Sequence, residues 1–460
     1  EPHPPIQLHC QEKARLAGPA AAALALALVF ALVVVTLVAV VVAVVVVVAV
    51  AYALLMPTFL LVLAVVLLPL VANFWISVKP VTLADLRPPT LILKEQVRGD
   101  FAAAGGIARL EYRYRNSSIT YPLEAVVFND TLPSGVVVTS LDPACGLEKA
   151  GAGIRCNLAT LAAKARGKIH IGITATEAFG GDKSSFKASQ PIVRFSSYNV
   201  MTSFDFTLAN FERIFSAAEF WDVLKVSIYY TVFGTAGALL FGLFAAQIMQ
   251  KTFPGRPVIR GLMLFPYVAP VVALAYTWEL LLDPNSGTLN SLLVNFQILD
   301  TPINLLGQKY LDINILGFSF KLRLALTTVI IFEIWRYFPL AFLFILARLQ
   351  AIPKDLYEAA DVDGASPFQK FFKITLPQIT AVISILFMIR FIWNFNKFED
   401  VFLLTGGASG TRTLPINVYQ QGFAISDIGM GSAVSIVIVL LLLLFMFFYF
   451  KLLGKRADEN

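Results

Sequence analysis

Charge is what this 460-residue sequence has least of: Asp, Glu, Lys and Arg make up 14% of it, against roughly 25% in water-soluble domains. With 57% apolar residues and a mean hydropathy of +0.73, an ordinary cytosolic enzyme is excluded. Cysteine and histidine are equally sparse, at three each. That is too few cysteines for a disulfide scaffold or a Cys-rich metal centre, and His3, His9 and His170 are too scattered to pair on a metal, so no metal site is expected. A phosphate-cradling loop is missing as well. Gly180-Gly-Asp-Lys183-Ser184 carries a Lys-Ser pair without the glycine spacing, so this chain does not hydrolyse ATP itself. With no nucleophile–base constellation either, the chain is not expected to be an enzyme or to bind a cofactor. The net charge of +6 comes without a basic block interleaved with aromatics, so it reads as cations retained in membrane loops, not as a nucleic-acid surface.

Long apolar runs are what the sequence has in quantity. Residues 16–78 contain no charged side chain at all. As helix that run measures roughly 95 Å, about three crossings of a 30 Å hydrocarbon core. Three helices are therefore expected in residues 18–78, although Leu24–Ala53 offers no polar turn and one long tilted helix is the alternative. The start, EPHPPIQLHCQEKAR, reads as a trimmed end, not as a signal peptide. Further spans are expected near Trp221–Met249, Val258–Leu281, Leu322–Ala347, Ile374–Phe395 and Gly431–Phe450, a core of five helices over 221–453. Lys251, Arg256 and Arg260 on a short acid-free connection mark the cytoplasmic side. Counting passes puts 349–376 and the 454–460 tail inside, and residues 80–220 outside.

Residues 80–220 differ in character. Pro80, Pro88 and Pro89 open a stretch of short alternating runs, such as Arg109-Leu-Glu-Tyr-Arg-Tyr and Lys168-Ile-His-Ile-Gly-Ile-Thr, separated by turn residues. This predicts an antiparallel β-sandwich at about 105–178. Tyr112–Thr176 also resembles the immunoglobulin-like repeat of bacterial surface proteins. Cys145 and Cys156 within it read either as a disulfide, if the segment is outside, or as two buried thiols.

The loop Ala351-Ile-Pro-Lys-Asp-Leu-Tyr-Glu-Ala-Ala-Asp-Val-Asp-Gly-Ala-Ser-Pro-Phe-Gln-Lys-Phe-Phe-Lys-Ile-Thr-Leu-Pro377 predicts two short helices joined by a sharp turn. Asp355 is expected to cap the first, with Glu358 reaching back, and Ser366 and Gln369 to box the second behind Pro367. Gly364 supplies a left-handed stop. Ala359 and Ala360 leave a smooth side for another protein's backbone, the alternative being an idle linker. Glu358-Ala359-Ala360, Gly364 and Ile374-x-Leu376-Pro377 stand at the spacing of a known signature. Here the chain resembles the transmembrane permease subunits of ABC importers, from about Phe211 to the carboxyl end. Leu264-Phe-Pro-Tyr-Val-Ala-Pro270, Trp393-Asn-Phe-Asn-Lys-Phe and Leu404-Thr-Gly-Gly407 resemble the carbohydrate branch, closest to the MalF-type subunit of maltose importers; Ala408 stands where that family commonly has Pro.

The resemblance implies an all-α polytopic inner-membrane protein with the type I importer permease fold and about eight transmembrane helices; the immunoglobulin-like sandwich, inserted on the extracytoplasmic side, departs from that family, so its contacts with a binding protein are not carried over. It implies a bacterial importer of a maltose/trehalose-type sugar. The partners would be a second, MalG-like permease subunit, a MalK-like ATPase dimer that binds ATP and Mg, an extracytoplasmic sugar-binding protein and membrane lipid. Coupling residues would be Leu356, Tyr357, Glu358, Ala359, Ala360, Asp363 and Gly364. The substrate path would run past Arg336, Tyr337, Leu340, Arg390, Asn394 and Lys397, with Tyr337 and Trp393 as stacking platforms. Its three cations leave two readings open: an anionic saccharide, or structural pairing of Glu333 with Arg336 and of Arg390 or Lys397 with Glu399 or Asp400. Another imported solute (glycerol phosphate or a polyamine) is a rival within transport. A membrane-anchored adhesion or receptor protein is the rival outside it, and it leaves the loop signature unexplained.

Overall fold

The computed structural model describes residues 40–99, 104–148, 153–179, 184–187, 189–315 and 318–458, together with residues 32, 36 and 37. Two units are distinguished, Glu1–Ala72 and Asn73–Asn460. Helix α1, Val40–Ser77, is one uninterrupted run of 38 residues, and every side chain from 40 to 72 is exposed. Its Val and Leu side chains have no charge to exclude from lipid, and without water each backbone N–H must bond within its own helix. A π turn at Leu63–Leu67 sits just ahead of Pro69, whose missing N–H would otherwise break the ladder. Within 40–77 there is thus one helix, since nothing charged interrupts it; the rest of the three-helix expectation for 18–78 lies outside the described residues. Residues before 40 lie almost wholly outside the described ones. Counting the bent pair below as one, the described residues hold six candidate spans where eight were expected.

Two antiparallel sheets follow. Strands β1 (Leu91–Gly99), β2 (Ile107–Asn116), β3 (Leu123–Thr131), β4 (Val136–Ser140), β5 (Cys145–Leu147), β6 (Gly153–Leu161), β7 (Arg166–Ala175) and β8 (Ile192–Ser197) pair in the orders β1-β2-β7-β4 and β5-β6-β3-β8. Leu110, Tyr112, Ile169 and Ile171 of one sheet and Phe128, Ile154 and Cys156 of the other share one core, which makes the pair a sandwich. It reaches beyond 105–178, because β1 and β8 belong to it. Cys145 and Cys156 are cross-strand partners and are joined in a disulfide.

One inward position of β1 is not apolar. Glu95, opposite Tyr112, has an oxygen buried without a partner, while Asp130 accepts from the Tyr112 hydroxyl nearby. Burial, and then the charge of Asp130, push the Glu95 carboxyl up to about 7, against a bond from Ser189. An acid whose folded pKa lies above its unfolded value of 4.5 stabilises the fold at low pH and loses that contribution as pH rises through about 7. Proteolysis within 91–197 should therefore be faster at pH 8 than at pH 5.5. Glu95→Gln should abolish most of that difference when both proteins are digested at each pH. An unchanged difference would remove Glu95 as its source.

The sandwich joins the helical part through a tight knot. Lys79, wholly buried, donates to the carbonyls of Val200 (2.9 Å), Met201 (3.3 Å) and Ser203, with its ammonium 4.3 Å from the Trp75 ring. Asn210 donates to the carbonyls of Ser77 (2.9 Å) and Lys79 (2.8 Å). Helix α2, Ala209–Ser216, then leads to α3, Ala218–Gln250. The expected span at Val258–Leu281 is two helices, α4 (Arg256–Val268) and α5 (Val271–Leu282), bent by 94°. Pro270 has no N–H to give and drives Ala269 into an extended conformation, so the helix cannot continue.

Helix α6 (Thr288–Asn295) and a hairpin of β9 (Leu311–Ile315) and β10 (Phe318–Leu322) lead to α7 (Leu324–Gln350). α7 lies close along α3: a Cβ at Gly242 would stand 2.6 Å from the Ala341 Cβ, so only glycine permits this approach. Next come α8 (Asp355–Val362), α9 (Pro367–Phe395), α10 (Glu399–Thr405), α11 (Leu414–Tyr419) and α12 (Ile428–Asp458).

Candidate functional site

The loop between α7 and α9 folds as its residue types require, with one exception. Ser366 accepts from the Gln369 N–H (3.3 Å) while the Gln369 amide oxygen accepts from the Ser366 N–H (2.7 Å), the expected box behind Pro367. Gly364 takes φ +71° and donates to Asp361 (3.1 Å), and Ala365 donates to Ala360 (2.9 Å), the paired bonds of a glycine helix stop. The cap at Asp355 is not formed. Lys354 is already in helical conformation and occupies the cap position, so Asp355 and Glu358 lie inside the first turn and act on the helix dipole.

Of the coupling residues, Leu356, Glu358, Ala359, Asp363 and Gly364 are exposed and Ala360 is half-buried. Tyr357 points inward: its hydroxyl meets that of Thr375 at 2.9 Å and its ring packs on the α3–α7 core. It pins α8 to α9. Lys370 bonds Asp361 at 2.5 Å across the same turn. Three apolar side chains that the sequence did not single out, Val362, Phe368 and Phe372, stand 89%, 77% and 58% exposed on this elbow.

The second constellation lies among α3, α7, α9 and α10. Arg390 pairs with Glu333, which also accepts from the Tyr230 hydroxyl (3.2 Å). Arg336 pairs with Asp400, and Lys397 lies 3.3 Å from Glu399 and 3.7 Å from Asp400. The Tyr337 ring is surrounded by cations: Arg390 at 4.0 Å, Lys397 at 4.2 Å and Arg336 at 4.9 Å from its centroid. Both carboxylates at the centre, Glu333 and Asp400, are fully buried, where ions persist only when paired. The charges are structurally paired, with Lys397 meeting Glu399 and Asp400 as expected, but the Glu333–Arg336 pair is not formed. Glu333 meets Arg390 on another helix, not Arg336 one turn away, because the cross-helix pair buries both ions together.

A cavity of about 570 Å³ opens beside this cluster, lined by Tyr267, Arg336, Tyr337, Arg390, Trp393 and Lys397 among others. It brings four of the six path residues together. Leu340 and Asn394 do not line it. The Asn394 amide is buried and faces the Tyr230 and Thr231 carbonyls at 3.5 Å. Tyr230 and Tyr267 escaped the sequence reading, since a single tyrosine in an apolar span gives no signal.

A family model described as the binding-protein-dependent transport system inner membrane component matches residues 238–459, which include the loop and all six charged groups of the cluster. The inner membrane ABC transporter permease protein YcjO of Escherichia coli is 36% identical over 229 residues, 50% of this chain and 73% of that protein. The chain belongs to this permease family. The permease is also 34% identical over 230 residues to the trehalose/maltose transport system permease protein MalF of Thermococcus litoralis, covering 50% of this chain and 73% of MalF. It is 30% identical over 251 residues to the trehalose transport system permease protein SugA of Mycobacterium tuberculosis, covering 54% of this chain and 75% of SugA. Its apolar helices and its family make it a multi-pass inner-membrane protein.

Proposed function

We propose that this permease is the membrane subunit of an ATP-driven importer for a saccharide of the maltose or trehalose type, delivered by an extracytoplasmic binding protein. A partner ATPase dimer docks on α8 and the turn after it, and a second permease subunit completes the pathway. The observation that carries this reading is the signature Glu358-Ala359-Ala360, Gly364 and Ile374-x-Leu376-Pro377 on an elbow whose apolar residues Val362 and Phe368 stand uncovered. Exposed apolar side chains on a rigid turn suit a protein groove. The names of the relatives support a sugar. So do the ion pairs at and just behind the cavity wall, where Arg336, Arg390 and Lys397 are matched by Glu399 and the buried Glu333 and Asp400. Three cations against three carboxylates leave little excess charge for an anion and favour a neutral saccharide stacked on Tyr337 or Trp393. The sandwich, immunoglobulin-like in pattern, lies on the side opposite the elbow; its disulfide suits an oxidising compartment.

The test is ATP hydrolysis by the reconstituted complex with its binding protein. Neutral disaccharides should raise the rate several-fold, and uronic or phosphorylated sugars should not. Stimulation by the anionic sugars alone would overturn the neutral assignment. Failure of any ATPase subunit to co-purify would overturn the importer reading.

A further inference from the structure

The outward face of the first sheet carries a charge pattern that the transport reading does not use. On β1, β2 and β7 the register aligns Lys94, Arg113 and Lys168 in one row and Ile92, Arg115 and Arg166 in the next. A third row, two pairs along, sets Arg98 opposite Arg109. Between them the one carboxylate is Glu111, which Arg113, Arg98 (3.5 Å) and Lys168 (3.6 Å) share. Seven cations thus face one acid over three adjacent strands. Lys94, Arg109, Arg115 and Arg166 form no ion pair among the described residues.

Neighbouring strands lie about 4.8 Å apart, and like charges directly opposite destabilise a sheet. Lys94–Arg113–Lys168 and Arg115–Arg166 are such contacts, and the single carboxylate of Glu111 offsets only part of their repulsion. The surface is also not flat. A hollow of about 510 Å³ is lined by Lys94, Arg113, Arg115, Arg166 and Lys168. A bilayer surface cannot enter a hollow of this kind, whereas a narrow chain can. Arginine forks grip carboxylate and sulfate groups through two parallel bonds, and here three stand side by side.

We propose that the outward face of β1, β2 and β7 binds an acidic carbohydrate chain, its carboxylates or sulfates held by Arg113, Arg115 and Arg166 between Lys94 and Lys168. This occupant is distinct from the transported solute, whose cavity wall is charge-balanced, so the proposal stands whatever sugar is imported.

The test uses the full chain in nanodiscs of neutral lipid and fluorescently labelled polygalacturonate oligosaccharides, read by anisotropy over a range of salt. Binding should weaken steeply with added salt. Arg113→Gln with Arg115→Gln and Arg166→Gln should weaken it at least tenfold. Lys94→Gln with Lys168→Gln, both at exposed positions, should weaken it less and serves as the second variant if the first misfolds. Each set removes like-charge contacts but also one partner of Glu111, so resistance of the sandwich to proteolysis is measured beside binding and a folded variant of either set decides the test. No measurable binding, or binding unaltered in both variants, would overturn the proposal. Polyglutamate or phosphatidylglycerol vesicles binding as tightly as the oligosaccharide would also overturn it, replacing a glycan site with an acidic peptide or lipid surface.

Discussion

Glu333→Ala is expected to cost about 3–5 kcal/mol and to strip most of the correctly folded permease from the membrane. Glu333 is fully buried, and its partner Arg390 is 2% exposed. Removing the carboxylate leaves a guanidinium in a low-dielectric interior, with its Nε already lacking a hydrogen-bond partner, and takes the acceptor from the Tyr230 hydroxyl as well. Folded yield and melting temperature of the detergent-extracted protein measure this. Glu333→Met combined with Arg390→Leu should recover most of the loss, because two apolar side chains of similar volume replace a buried pair at little cost or with a gain. A double variant as unstable as the single one would show that the pair is not the source. If the double variant folds but uptake stays below a tenth of normal, Arg390 serves the solute as well as the fold.

Gly364→Pro is expected to lower solute uptake at least tenfold while the subunits still assemble. Gly364 sits at φ +71°, and proline is locked near −65°, so the two bonds that end α8 cannot form. In the proposed coupling, the elbow would then lose the rigid connection by which two positions of the loop follow two states of the membrane helices. A bulky residue at exposed Ala359 should act alike, by obstructing close approach of the ATPase rather than by refolding the loop. Ser366→Ala supplies the contrast: it removes a cap worth about 1 kcal/mol and should leave uptake near normal. Normal uptake in both the Gly364 and Ala359 variants, measured in vesicles with a co-purifying ATPase, would remove the coupling role.

Much of this was legible beforehand where local chemistry decides. The Ser366–Gln369 box and the Gly364 stop follow from residue type and spacing alone, and so do the apolar spans. Three features were not legible because the deciding partner is distant in sequence or belongs to the medium. Pairing of Glu333 with Arg390, 57 residues on, depends on how α7 and α9 cross. Strand β1 hides because Glu95 occupies a core position and breaks the alternation that marks a strand. Helix α1 gives no break in 38 residues, so its true length could not be divided by counting bilayer thicknesses. The bend at Pro270 was readable in principle, since Pro266 and Pro270 stand four residues apart in an otherwise apolar run.

The knot around Lys79 has a bearing on how such a molecule came to be assembled. Its ammonium ties the segment leading into the sandwich to the segment leading out, at Val200 and Met201, and Asn210 fastens the same two strands of chain from the other side. A domain whose ends are brought side by side can be lodged in a host, or removed from it, without stretching the scaffold around it. The permease family model matches residues 238–459, all of them beyond the knot. The sandwich thus hangs from a single fastened root, so a change in its outer surface need not disturb the packing of the helices behind it.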